Sequence, residues 1–176
     1  MPYRLGSVLI PVPQIRDRVE ELAAAISADY AGRDLLLICA LKGAAIFWAD
    51  LCRAMTIPCQ SDFVAMESYA DATLPLAEPR FTKAASVSLE GRDILLIEDI
   101  VDTGHTITHL KRMLQAQSPK SIALCGLLDK AERREVEVPI EYCGFVIPNV
   151  YVVGYGLDYA QQYRHLPYIA RVDEVK

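Results

Sequence analysis

The apolar positions of the chain follow two periods. After Pro11 and Pro13, the residues Ile15, Val19, Leu22, Ala23 and Ile26 recur at helical spacing and predict an amphipathic helix that Gly32 ends. Leu35-Leu36-Leu37-Ile38-Cys39-Ala40-Leu41 then runs apolar at strand length, which suits a parallel strand covered on both faces. Lys42-Gly43 breaks that run, and residues 44–55 predict a second helix with Ile46, Phe47, Leu51 and Met55 turned inward. Residues 62–69 read as a strand. Residues 70–80 contain Pro75 and Pro79, show no period, and predict a loop long enough to be functional. Residues 81–89 predict a returning strand before the turn Glu90-Gly91-Arg92-Asp93. Ile94-Leu95-Leu96-Ile97 is the strongest strand candidate, followed by polar residues 98–106 and a helix with Ile107, Leu110, Met113 and Leu114. Residues 121–128 predict another buried strand, and Tyr151-Val152-Val153 a short one.

Strands that alternate with helices imply an α/β domain around a largely parallel sheet. Ligands in such sheets bind beyond the carboxyl ends of the strands. Polar breaks fall there at Lys42-Gly43, residues 98–106 and Asp129-Lys130, so the fold should gather them on one rim. A further polar cluster, around Asp158, comes near the C-terminus. No repeat or linker divides residues 1–176, which predicts one domain.

Composition narrows the function classes. The 176 residues are 52% hydrophobic, enough for a packed core, and carry a formal net charge of -5. No run of Lys or Arg offers a nucleic-acid face, whereas a few local cations can still hold a small anion. No apolar run reaches membrane-spanning length, and residues 1–10 are too short for a secretory core. Cys39, Cys52, Cys59, Cys125 and Cys143 form no CxxC pair, which predicts buried thiols in a reducing cytoplasm.

Glu98-Asp99-Ile100-Val101-Asp102-Thr103-Gly104-His105-Thr106 carries the chemistry. Backbone amides at the start of the following helix form an anion site, and Gly104 lets the backbone approach a phosphate. The hydroxyls of Thr103 and Thr106 add donors. Glu98 and Asp99 are acceptors suited to vicinal sugar hydroxyls, directly or through a metal-bound water. The constellation fits a ribose phosphate. A capped helix after an acidic strand end, with Thr103 as N-cap, is the plainer reading, but it leaves the crowding of like charges unexplained. Neither GxxxxGK[ST] nor GxGxxG occurs. His105 and His109 have the spacing of a helical metal pair, with no third ligand evident nearby.

Residues 95–106 resemble the phosphoribosyl pyrophosphate motif of the type I phosphoribosyltransferases. Leu41-Lys42-Gly43-Ala44 with Phe47-Trp48-Ala49-Asp50-Leu51 is similar to the pyrophosphate loop and helix of the hypoxanthine-guanine branch. Asp62-Phe63 through Ser68-Tyr69, Leu127-Leu128-Asp129-Lys130 and residues 151–159 resemble its lid entrance and purine-site segments. Tyr163-Arg164-His165-Leu166-Pro167-Tyr168-Ile169 resembles the bacterial short form. The resemblance implies the type I fold: a central, largely parallel sheet flanked by helices, a small hood from the N-terminal residues and residues 150–176, and a flexible lid at about residues 68–82. It also implies a purine salvage activity, transfer of the 5-phosphoribosyl group from 5-phospho-α-D-ribose 1-diphosphate to hypoxanthine and guanine.

The resemblance further implies the following roles. Asp102 is the general base and acid at purine N7. Glu98 and Asp99 hold the ribose, and Asp102, Thr103, Gly104, His105 and Thr106 wrap the 5-phosphate. Lys42, Gly43, Arg164, Ser68 and Tyr69 serve pyrophosphate, with Leu41–Lys42 a cis peptide in the family. Lys130, Tyr151, Val152 and Asp158 serve the purine, Lys130 as donor to a 6-oxo oxygen. Magnesium would be held with Asp158, Glu98 and Asp99. The expected partners are small molecules alone, without nucleic acid or membrane, and the expected assembly is a homodimer or homotetramer. A xanthine-preferring enzyme and a non-catalytic regulator are the alternatives. Two departures stand out. His105 occupies a position where many members have Asn, Lys or Arg, and the lid carries Leu74, Pro75, Leu76 and Pro79.

Overall fold

A computed structural model describes residues 3–67 and 80–174. The elements, in chain order, are β1 (Tyr3–Ile10), α1 (Val12–Asp29), β2 (Leu35–Leu41), α2 (Ala45–Ala54), β3 (Gln60–Glu67), β4 (Arg80–Lys83), β5 (Asp93–Val101), α3 (His105–Gln115) and β6 (Ser121–Asp129). A short 3-10 turn, Ala131–Arg133, precedes β7 (Tyr142–Val146), β8 (Val152–Val153) and β9 (Ile169–Glu174). Six strands form the main sheet in the order β4-β3-β2-β5-β6-β7, parallel throughout except for β4 on the edge. A second, antiparallel sheet has the order β1-β9-β8.

The continuous apolar runs are explained by two cores, one on each face of the main sheet. Leu35, Leu37, Cys39, Leu95, Ile97, Cys125 and Leu127 point to the face covered by α1 and α2. Leu36, Ile38, Ala40, Ile94, Leu96 and Leu124 point to the face covered by α3. Alternation with period two therefore puts apolar residues at every position of the central strands.

The amino ends of these strands are tied by charges. Asp93, buried at the start of β5, accepts hydrogen bonds from both Nε and Nη2 of Arg33 and from Oγ of Ser121. Those Arg33 bonds, against the opposing effect of burial, lower the Asp93 carboxyl to about 2.

The structure corrects three expectations and adds three strands that were not expected. Ile46 is 40% exposed, because it shares its stripe of α2 with Asp50 and Arg53, whereas Phe47 and Leu51 form the buried stripe. The strand expected over residues 81–89 is shorter, ending at Lys83, because the carboxylate of Asp62 captures the amides of Ser86 and Val87. Strand β5 continues past Ile97 to Val101, held by β6 through the pairs Glu98–Gly126, Ile100–Leu128 and Val101–Asp129. Glu98 and Asp99 thus lie within the strand, not beyond it. Finally, β1, β7 and β9 were not legible as strands. The lid expected at 68–82 falls mostly outside the described residues. All five cysteines are free thiols, and burial raises Cys39 to about 12, far from a reactive thiolate. No helix among the described residues is long and apolar enough to cross a membrane.

Candidate active site

The carboxyl ends of β2, β5 and β6 meet the segment around residues 154–158 on one rim. Glycines let these segments touch. A Cβ on Gly43 would stand 1.5 Å from Oδ2 of Asp99, and one on Gly156, at φ 102°, would stand 2.0 Å from the carbonyl of Gly43. The Leu41–Lys42 peptide leading into this contact is cis, and Lys42 is exposed. Gly43→Ala should push the Asp99 carboxylate out of place and lower kcat/KM roughly tenfold to a hundredfold, since small misplacements of catalytic groups carry such losses. Steady-state kinetics on the folded variant checks this, and an unchanged kcat/KM would show that the contact is dispensable.

Beyond β5 the chain turns into α3 through Gly104, which stands at the N-cap position with a left-handed φ of 95° that glycine adopts freely. Thr103 does not cap the helix, and no side chain does. Instead the carbonyl of Thr103 accepts the amides of Glu135 at 3.0 Å and Val136 at 3.1 Å, and a Cβ on Gly104 would stand 2.4 Å from the carbonyl of Val136. The segment after β6 thus braces the loop after β5. The first-turn amides of α3 are left without a side-chain cap. His105 is exposed, with Nε2 3.0 Å from Oε2 of Glu135, and His109 accepts from Arg112 at 3.2 Å.

Beside this loop lies a cavity of about 210 Å³ lined by Asp99, Ile100, Asp102, Lys130, Tyr151, Val152, Leu157 and Asp158. Lys130 is 6% exposed. Burial lowers its ammonium below the ordinary lysine value, an effect that Asp102 opposes and Arg133 reinforces. Oδ2 of Asp102 stands 3.8 Å from Nζ of Lys130, too far for a hydrogen bond. Oδ1 is buried and 3.1 Å from Nε of Arg133, yet it accepts no well-aligned hydrogen bond among the described residues. The carboxylate is held between cations with its acceptor capacity open. Tyr151 is 54% exposed and meets Tyr159 edge-on at 5.6 Å, which leaves a ring face available for stacking.

Comparison with known proteins agrees with this geometry. The phosphoribosyl transferase domain model matches residues 9–160. The chain belongs to the phosphoribosyltransferase family. It is 43% identical over 167 residues to the hypoxanthine phosphoribosyltransferase of Escherichia coli K12, covering 94% of each chain. It is 43% identical over 178 residues to the hypoxanthine-guanine phosphoribosyltransferase of Mycobacterium tuberculosis, covering 98% of this chain and 88% of that one. A crystal structure of a hypoxanthine-guanine phosphoribosyltransferase from Bacillus anthracis, with a HEPES molecule in its active site, superposes with a TM-score of 0.90 at 37% identity. That alignment covers 97% of this chain and 99% of the other.

Within this phosphoribosyltransferase the expected site residues divide into groups. Asp99, Asp102, Lys130, Tyr151, Val152 and Asp158 share the cavity. Glu98 does not. As the even-numbered neighbour of Asp99 it turns to the α3 face, into a separate cavity of about 120 Å³ with Ala40, Leu41, Val64, Met66, Thr106 and Leu110. Burial, and then the Asp99 carboxylate, push the Glu98 carboxyl above the usual range. Arg164 donates Nη1 to the carbonyl of Gly156 at 2.8 Å, and its Nη2 lies 2.6 Å from Oδ1 of Asp158, so it braces the segment that carries Asp158. Ser68 and Tyr69 lie outside the described residues. Sequence reasoning gave no role to Arg133, Arg134 or Ile100, and named Gly156 and Leu157 only as part of the purine-site segment. The pair Arg133-Arg134 was the available signal: two cations that follow Lys130 by one 3-10 turn.

The donor set also bears on the expected magnesium. Among the described residues no three His, Cys, Asp or Glu side chains are close enough to cage a metal. Asp99 and Asp158 nevertheless line one cavity, as hard oxygen donors. This fits an ion held by one or two carboxylates while substrate oxygens and water complete its shell, which is the habit of magnesium.

Proposed function

We propose that this protein transfers the 5-phosphoribosyl group from 5-phospho-α-D-ribose 1-diphosphate to hypoxanthine, and also to guanine, releasing pyrophosphate. The observation that carries the reading is the buried Lys130 beside Asp102 on one purine-sized cavity. An ammonium only donates, so Lys130 suits a 6-oxo oxygen and faces a 6-amino group badly. With the base stacked on Tyr151, Val152 lies along its edge on an edge strand. The N9 lone pair forms the bond to the ribose C1 as the bond from C1 to pyrophosphate breaks. Asp102 takes the proton from N7 in the same step. The loop of Asp102, Thr103, Gly104, His105 and Thr106 holds the 5-phosphate, Asp99 binds the ribose without Glu98, which faces the other side of β5, and Lys42 and Gly43 bind pyrophosphate with Arg164. Ser68 and Tyr69 belong to the lid in this reading.

Asp99 and Asp158 are the residues that would hold magnesium, which supplies positive charge to the leaving pyrophosphate when bound, whereas Glu98 faces the other side of the strand. The reading also makes the protein a cytoplasmic enzyme of the purine salvage type, working as a dimer or tetramer. The exposed Ile46, next to the Lys42 loop, supports contact with a second copy.

A transfer assay with the sugar diphosphate, magnesium and each of hypoxanthine, guanine, xanthine and adenine tests the proposal. Hypoxanthine turns over, and adenine is used at least about a hundredfold less well, as expected for a buried donor left facing a donor. Preferred turnover of adenine would overturn the role given to Lys130. No turnover with any base would favour a regulatory role.

A further inference from the structure

We propose that Arg133 is a positioning residue for catalysis, holding the Asp102 carboxylate at the purine cavity from outside it. The proposal rests on the reading of Asp102 as general base. Arg133 does not line the cavity, whereas Asp102 and Lys130 do. Its Nε nonetheless stands 3.1 Å from Oδ1 of Asp102, whereas Nζ of Lys130 is 3.8 Å from the other oxygen, Oδ2. The carboxylate therefore sits between two cations with different freedom. Lys130 is buried and must turn its hydrogens to the 6-oxo group when a purine enters, so its hold on Asp102 weakens at the moment of reaction. Arg133, outside the cavity, has no such second duty.

The placement of Arg133 follows from the chain. The amide of Lys130 donates to the carbonyl of Val101 at 3.0 Å, and the amide of Arg133 donates to the carbonyl of Lys130 at 2.9 Å, closing the 3-10 turn. The neighbouring Arg134 binds the Asp102 carbonyl and the Asp129 carboxylate. Glu135 and Val136 then hold the carbonyl of Thr103. Arg133 is thus the side-chain member of a brace whose other members grip the backbone of the same loop. Its approach to Oδ1 lies off the hydrogen-bonding direction, so it restrains the carboxylate by charge. Oδ1 is buried, and the N7 proton therefore goes to the more open Oδ2. Arg133 holds the carboxylate at its buried oxygen without occupying the reacting one.

The plain alternative is a half-exposed arginine making a surface ion pair worth little. A cycle of R133Q, D102N and the double variant separates the two, with R133K as the conservative control. R133Q lowers kcat about tenfold or more and leaves KM for the sugar diphosphate unchanged, since a displaced catalytic group costs rate before binding. In the D102N background the same substitution has no effect. R133K, which keeps the charge without the planar fork, recovers part of the rate. An R133Q enzyme with unchanged kcat overturns the proposal, as does an equal loss in both backgrounds. If D102N itself keeps full kcat, the general-base reading fails instead, and the cycle distinguishes that failure from the others.

Discussion

Asp102→Asn lowers kcat with hypoxanthine by about 10²- to 10⁴-fold, the usual contribution of a positioned proton-transfer group. Lone pairs decide this outcome. Oδ1 of Asp102 is buried, but Oδ2 is not, and Oδ2 is beyond hydrogen-bonding distance of Lys130, so it is the open acceptor at the cavity. Asparagine keeps the shape and one acceptor oxygen but cannot bind the proton. The loss therefore falls on the chemical step. Binding of the sugar diphosphate changes little, because in the proposed reading its 5-phosphate is held by backbone amides of α3 and the hydroxyls of Thr103 and Thr106. Stability also changes little, since the Asp102 and Arg133 side chains are 37% and 43% exposed and such pairs contribute modestly. Single-turnover kinetics with equilibrium binding of the sugar diphosphate separates these quantities. A variant with undiminished turnover would remove Asp102 from the proton path.

The central fold was legible because its signal is strong. Continuous apolar runs mark strands covered on both faces, and β2, β5 and β6 were each located from such runs. The same alternation carries past the apolar run into the site. Leu96 faces α3 and Ile97 faces α2, so Glu98 and Asp99 must part company, although as adjacent letters they suggest one sugar clamp. What the sequence hid were strands whose identity depends on distant partners. Strand β1 exists through its antiparallel pairing with β9, which lies at the opposite end of the chain. Neither shows a clean period of its own. Strand β7 mixes half-buried residues with the exposed Val146 on the edge of the main sheet.

The site was legible to a similar depth. Asp102 and Lys130 stand in polar breaks after apolar strands, and the resemblance supplies the roles proposed for them. Residues that act on other residues leave a weaker trace. Arg133 and Arg134 look like surface cations in a polar stretch, and only the close approach of the segments after β5 and β6 gives them work. Arg164 shows the converse. Its chemistry suits pyrophosphate, yet the structure pairs it with Asp158, Gly156 and Gln161. Opposite charges packed on one tight turn pair with each other, and no single-residue reading anticipates that.

Asp62→Ala destabilises the protein by roughly 3 kcal/mol, the scale for removing one member of a buried charged network. Asp62 is 5% exposed on β3. Its Oδ1 accepts from the amide of Phe63 at 2.7 Å and from Nζ of Lys83 at 3.2 Å. Its Oδ2 accepts from the amide of Ser86, from Oγ of Ser86 at 2.9 Å and from the amide of Val87 at 3.1 Å. Alanine leaves those donors without their acceptor, and the segment after β4 loses its attachment to β3. In a chain of this length the melting temperature falls by about 6–12 °C. Acid provides a second check. Burial by itself would raise the Asp62 carboxyl, but the hydrogen bonds from Phe63, Ser86 and Lys83 outweigh it and hold the group far below the usual carboxylate range. A group with a depressed folded-state value stabilises fully above its unfolded value, about 3.9 for Asp, and loses that stabilisation as the pH falls below it. The gap between wild type and variant is therefore constant from neutrality down to about pH 5 and closes as the solution is acidified further. Thermal melts of both proteins across that range measure it. A gap that is absent at neutral pH, or that persists unchanged in acid, would show that the carboxylate charge is not what fastens this segment to the sheet.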